Sequence, residues 1–181
     1  MDLKTDEQVH YHGADGLHAG VDPETGKLLL YWGESKIFND VQGAVYECVK
    51  SLKSYLTAQG EEKRDLQLLG RYLDLDDPAL EEALRNFLDP DNPAFLAVEY
   101  SGLCLVGFDS DTYPAEPNTK TIEHVVSEIT ILLPEWKDYI TKRLGEDGLG
   151  TFHIHIFCIP IPSADAFRKR FRERLGFKDD D

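Results

Sequence analysis

Apolar residues along this chain follow two periods, and the change between them marks the elements. Gly13 to Lys36, reading GADGLHAGVDPETGKLLLYWGESK, holds a short strand, a tight turn and a strongly apolar strand that ends in Gly33-Glu34-Ser35-Lys36. In the turn Asp22-Pro23-Glu24-Thr25-Gly26-Lys27, proline pre-sets the first corner and glycine supplies a left-handed residue, which predicts a four-residue hairpin loop. Pairing Asp22 with Lys27 makes the numbers of facing residues sum to 49, so Asp15 lies opposite Glu34. The period then becomes helical. Asp40 is a candidate N-cap for a helix through about Thr57, closed by Gly60, with Val41, Val45, Cys48, Val49, Leu52 and Leu56 as its buried stripe.

Residues 61–88 read as an insertion of two helices, EEKRDLQLLGRYL and DPALEEALRNFL, the second with Pro78 in its first turn. The carboxylates Asp74, Asp76, Asp77, Glu81 and Glu82 lack calcium-loop spacing and read as a solvated helix start. Asp89-Pro90-Asp91-Asn92-Pro93 is a turn. Phe95–Asp109 is one long bulged strand or two strands meeting at Gly102. Thr121–Leu144 carries a helical stripe from Ile122 to Leu144 and is expected to bend or break near Pro134 and to end at Gly145. Thr151–Ile161 is the last strand, and Ser163 caps a final helix with the apolar face Phe167, Phe171 and Leu175. This order predicts an α/β (α+β) domain, a central mixed sheet flanked by helices.

Composition bounds the picture. The 181 residues suit one domain, residues 1–181 with an acidic tail at 178–181, and nine Phe, eight Tyr and two Trp supply a packed core. No apolar run is long enough to span a membrane, and the start MDLKTDEQ is acidic, unlike a secretory signal, so a cytoplasmic protein is expected. Cys48, Cys104 and Cys158 sit among apolar neighbours and read as reduced, buried thiols. The net charge of −15 opposes free binding to DNA unless the cations gather in one place, and it favours a basic partner. They do gather, at Arg168, Lys169, Arg170, Arg172 and Arg174 on the last helix, a candidate nucleic-acid or partner contact or else a solvated face.

The hairpin carries the chemistry. Side chains alternate on a strand, so Glu34 and Lys36 share a face with Leu28, Leu30 and Trp32, at the end where the apolar run stops. Facing carboxylates at Asp15 and Glu34 repel each other unless they share a divalent cation, and an adjacent ammonium at Lys36 can hold or activate a water. A one-residue slip would turn Asp15 to the other face. His18 has the wrong parity for that face, and the pairs His153/His155 and His10/His12 lack a third ligand in sequence.

Asp15, eighteen intervening residues and Glu34-x-Lys36 resemble the D…ExK signature of the PD-(D/E)xK nuclease superfamily. With G-A-D-G-L-H, Y-W-G-E-S-K-I-F, F-L-D-P-D-N-P, L-V-G-F-D, I-H-I-F-C-I-P-I-P-S and A-F-R-K-R-F, the chain resembles the HamA family, the nuclease-like subunit of the Hachiman anti-phage defence system, over most of residues 13–176. The resemblance implies a restriction-endonuclease-like core and a Mg²⁺-dependent endodeoxyribonuclease (Mn²⁺ can substitute). In it Asp15, Glu34 and the Ser35 carbonyl hold the metal and Lys36 positions the water. It also implies DNA as substrate and a HamB-type helicase as partner. Gln42-x-x-x-Tyr46 is similar to the QxxxY element of RecB-like nucleases and is a candidate accessory pair.

The chain departs from that pattern at its start. Residues 1–14 leave no room for the helix that usually precedes the Asp-bearing strand, and Glu7 is the nearest stand-in for its carboxylate. Two other readings stay open: a catalytically inactive interaction subunit bound to the helicase, and a structural salt bridge among Asp15, Glu34 and Lys36.

Overall fold

The computed structural model describes residues 15–57, 77–89, 91–93, 98–116 and 119–177. Expectations at Glu7, His10, His12, Gly60, Asp74, Asp76 and the helix at 61–73 lie outside these residues.

The hairpin comes first. Strand β1 (Gly16–Val21) pairs antiparallel with β2 (Leu28–Phe38), from Gly16 opposite Gly33 to Val21 opposite Leu28, which is the expected register. The loop is closed where the turn chemistry places it. Asp22 N–H donates to the Lys27 carbonyl (2.9 Å), the Asp22 carboxylate accepts from the N–H groups of Glu24 and Thr25, and Gly26 has φ +67°.

Helix α1 (Val41–Thr57) follows, its first turn closed by Gly43 N–H donating to the Asp40 carboxylate (2.7 Å). Its buried face holds Val45, Cys48, Val49 and Leu52 as the spacing requires, together with Ala44 and Tyr55, while Val41 and Leu56 are half-covered. Helix α2 (Pro78–Leu88) starts at proline, its N-cap Asp77 accepting from Ala79 and Leu80. Asp77 is thus a helix cap, and Glu81 pairs with Arg85.

Strand β3 (Val98–Asp109) runs parallel to β2 and is continuous through Gly102, so neither a bulge nor a division is needed. The glycine serves packing instead. A Cβ there would lie 2.7 Å from Leu52 Cδ1 of α1 and 3.3 Å from Ile154 Cγ1. Helix α3 (Ile122–Glu146) also differs from expectation, passing through both Pro134 and Gly145; the left-handed residue lies later, at Gly148 (φ +74°). Of the long apolar stripe on α3 only Trp136 is fully buried, edge-on to Phe108 at 4.9 Å, and Ile122 and Val126 stand in solvent. Strand β4 (His153–Ile161) pairs parallel with β3, and α4 (Ala164–Arg174) is capped by Ser163.

The sheet order is β1-β2-β3-β4. Parallel neighbours require crossovers, which are right-handed almost without exception. With β2, β3 and β4 laid down in sequence, both crossovers fall on one face. The core shows this: Leu28, Leu30, Trp32, Cys104, Val106 and Phe108, all on one side of the strands, pack under α1, α2 and α3. Among the described residues the other face is open, with Leu105, Phe157 and Ile159 exposed on it. The expected mixed sheet is present, but these helices lie on one side of it.

Gly102→Ala is expected to destabilise the domain by about 1–3 kcal/mol through overpacking against Leu52, read by urea unfolding. Adding Leu52→Val is expected to cost less on this background than on the wild type.

Candidate active site

The site is assembled by the hairpin register together with strand alternation. Asp15 directly precedes Gly16, which pairs with Gly33, and Ser35 N–H donates to Asp15 Oδ2 (2.7 Å), which ties the start of β1 to the far end of β2. The two groups of a strand residue point toward the same neighbour, so the Ser35 carbonyl is directed to the Asp15 side as well.

Glu34 continues the face of Leu28, Leu30 and Trp32 and is 4% exposed. A buried carboxylate needs a partner, and Lys36 provides it, Nζ donating to Glu34 Oε2 at 2.7 Å. Burial pulls the Lys36 pKa down, but the hydrogen bond and charge of Glu34, with the Asp15 and Cys48 charges behind them, leave it above the usual lysine value of 10.5. Asp15, Glu34 and Lys36 therefore form one electrostatic unit. Stability from this raised pKa is fully present below 10.5 and is lost only as pH climbs through the higher folded value. Lys36 is an ammonium throughout the neutral range.

Beneath the carboxylate lies a pair of thiols that the spacing alone did not reveal. Cys48 Sγ donates to the Glu34 carbonyl (3.4 Å), and Cys104 is the residue opposite Glu34 on β3. The Cys104 thiol is pushed far up, first by its hydrogen bond with Cys48, then by burial and by the charges of Cys48 and Glu34. Cys158 is raised by burial alone. All three cysteines are free, and these are inert thiols. The α1 stripe placed Cys48 inward; Cys104 needed the long-range register of β3.

A family model described as HamA matches residues 1–175. The chain belongs to the HamA family. Membership implies a role in the Hachiman anti-phage defence system. No curated protein and no solved structure matches the chain.

The other HamA candidates separate. Tyr46 turns away from Glu34 toward α3, with the Arg143 guanidinium 4.5 Å over its ring, and the Gln42 carbonyl accepts from Tyr139 of α3 (3.3 Å). The Gln42/Tyr46 pair thus fastens α1 to α3. His18 keeps the parity expected of it, opposite Tyr31, and lines a hollow of about 210 Å³ with Asp15, Gly33, Ser35, Leu105 and Phe157. His153 and His155 share the exposed face of β4, His153 beside Glu99 (3.8 Å) and His155 beside the Tyr31 ring. Of the basic cluster, Arg168 pairs with Asp165 and donates to the Ile37 carbonyl, the residue after Lys36.

Among the described residues no three His, Cys, Asp or Glu side chains gather around a metal position. The donors present are two carboxylates, each with one oxygen engaged, and a backbone carbonyl. All are hard oxygen ligands. That set suits Mg²⁺, which binds through one or two carboxylates and completes its shell with water and substrate phosphate; it does not suit zinc.

Lys36→Met strands the Glu34 carboxylate without its cation and is expected to cost about 1–3 kcal/mol in urea unfolding. Glu34→Gln on that background is expected to recover at least half of the loss, because it removes the unpaired charge.

Proposed function

We propose that this chain is a metal-dependent DNA nuclease with a PD-(D/E)xK core, acting as the effector of a Hachiman system beside a HamB-type helicase. The observation that carries this reading is the end of the hairpin, where Asp15 accepts from the Ser35 N–H at 2.7 Å while Lys36 contacts Glu34 at 2.7 Å on the same strand. Family membership supports the defence role, and the hard-oxygen donor set supports Mg²⁺, with Mn²⁺ as its substitute.

In this mechanism Asp15, Glu34 and the Ser35 carbonyl would hold Mg²⁺. When bound, the ion polarises the scissile phosphate and offsets the negative charge that develops there. Lys36 stays protonated, so it would orient the attacking water by donating a hydrogen bond to it. Glu34 fixes the ammonium in place by accepting from it. An acidic chain gains little from long-range attraction to DNA, and a helicase that delivers the strand supplies what the surface charge does not.

The second reading, an inactive subunit that binds and regulates the helicase, draws on the absence of a three-ligand cluster among the described residues. The structural salt bridge has its own support in the Glu34–Lys36 contact, which a nuclease also needs. Lys36→Ala is therefore a poor discriminator, because it uncovers Glu34 in either case. Asp15 is exposed, and asparagine there keeps an oxygen for the Ser35 N–H.

Plasmid cleavage with Mg²⁺, with and without the helicase, is the deciding assay. Asp15→Asn is expected to leave the thermal midpoint unchanged and to lower cleavage by about 100-fold or more, the several kcal/mol a metal contributes. No cleavage by the wild type under either condition, with the helicase still bound, would establish the regulatory reading.

A further inference from the structure

Helix α4 is the cationic element in an acidic chain. It holds five cationic side chains against the two carboxylates Asp165 and Glu173, whereas the whole protein carries −15. Its first turns are anchored: Ala164 is buried and its N–H donates to the Asp109 carboxylate at the end of β3, while Arg168 reaches the Ile37 carbonyl on β2. The rest of the helix projects into solvent. Phe167 and Phe171 are 45% and 56% exposed, although burying either ring would be strongly favourable. Their rings lie nearly parallel, 13° apart with centroids 6.2 Å apart, an offset stack that still leaves both exposed. The hollow of about 330 Å³ beside them is lined by Phe167, Arg170, Phe171 and Arg174. Arg170 and Arg174 form no ion pair with the described residues, whereas Arg168 is held by Asp165 and Ile37 and Arg172 lies 5.7 Å from the Phe177 ring.

We propose that this face of α4 binds single-stranded DNA, with unpaired bases stacked on Phe167 and Phe171 and phosphates held by Arg170 and Arg174. An exposed aromatic ring offers a base face nothing unless that base is unpaired, and base–aromatic stacking combined with arginine is the recurring chemistry of single-strand grooves. Charge complementarity points the same way: the patch is cationic where the remaining surface repels phosphate. Arg168 ties the first turns of the helix to the Ile37 carbonyl, one residue beyond Lys36 of the candidate site. Delivery to that site rests on the nuclease reading; the binding itself does not.

The test uses the full-length chain bearing Asp15→Asn, in EDTA, with a fluorescein-labelled 15-nucleotide oligothymidine and a 15-base-pair duplex as probes. The single strand is expected to bind at least tenfold tighter than the duplex. Phe167→Ala/Phe171→Ala is expected to weaken it at least tenfold, and Arg170→Gln/Arg174→Gln to lower the slope of log affinity against log salt by about 1.4. These side chains are exposed, so an unchanged thermal midpoint confirms the fold of each variant. Equal affinity for the two probes, or wild-type binding by the double Phe variant, overturns the proposal. So does a double Phe variant that binds DNA normally but shifts from dimer to monomer or releases the helicase, since the face would then be a protein interface. Because cleavage plays no part in this assay, loss of the nuclease reading leaves its result intact, and the reverse also holds.

Discussion

The pairing of β1 with β2 is the constraint on which the rest depends. A slip of one residue would turn Asp15 to the other face of the hairpin and take Leu17 away from the Trp32 side. The loop from Asp22 to Lys27 opposes that slip locally, but the stronger resistance comes from Trp32, fully buried and stacked on Tyr55 at 5.4 Å. The indole and the carboxylate share a strand and a face, so the packing that fixes one fixes the other. The geometry of the candidate site is inherited from the core.

What could be read from the sequence was what short-range chemistry decides. The hairpin register followed from a proline, a glycine and the parity of an apolar run; the caps at Asp40 and Ser163 followed from side chains that satisfy nearby N–H groups. The misses share one cause, a partner distant in sequence. Gly102 looked like an interruption because the reason for it, Leu52, belongs to another element. Cys104 gave no hint that it lies opposite Glu34 until β3 was aligned with β2. Tyr46 had the right spacing for an accessory role, yet Arg143 draws its ring toward α3. On α3, an unbroken helix through Pro134 and a stripe left half in solvent are both set by how little of the body lies beneath it.

The one-sided arrangement of α1, α2 and α3 follows from handedness and not from composition. Three parallel strands in sequential order oblige both crossovers to the same side, which gathers Leu30, Trp32, Val106 and the apolar faces of the helices there. The opposite side keeps Leu105, Phe157 and the paired histidines His153 and His155. Alternation along β2 then places Ser35 on that open side and Glu34 on the covered one, so the two ends of the candidate site have unequal access to water.

Helix α4 is a cantilever. Its root is clamped at Asp109 and Ile37, and on its outer turns Phe171 and Leu175 are exposed. A beam held at one end turns any load on its tip into a moment at the clamp. The clamp here includes the peptide that follows Lys36. Whatever grips the outer helix, nucleic acid or protein, loads a root that is fastened one residue from Lys36.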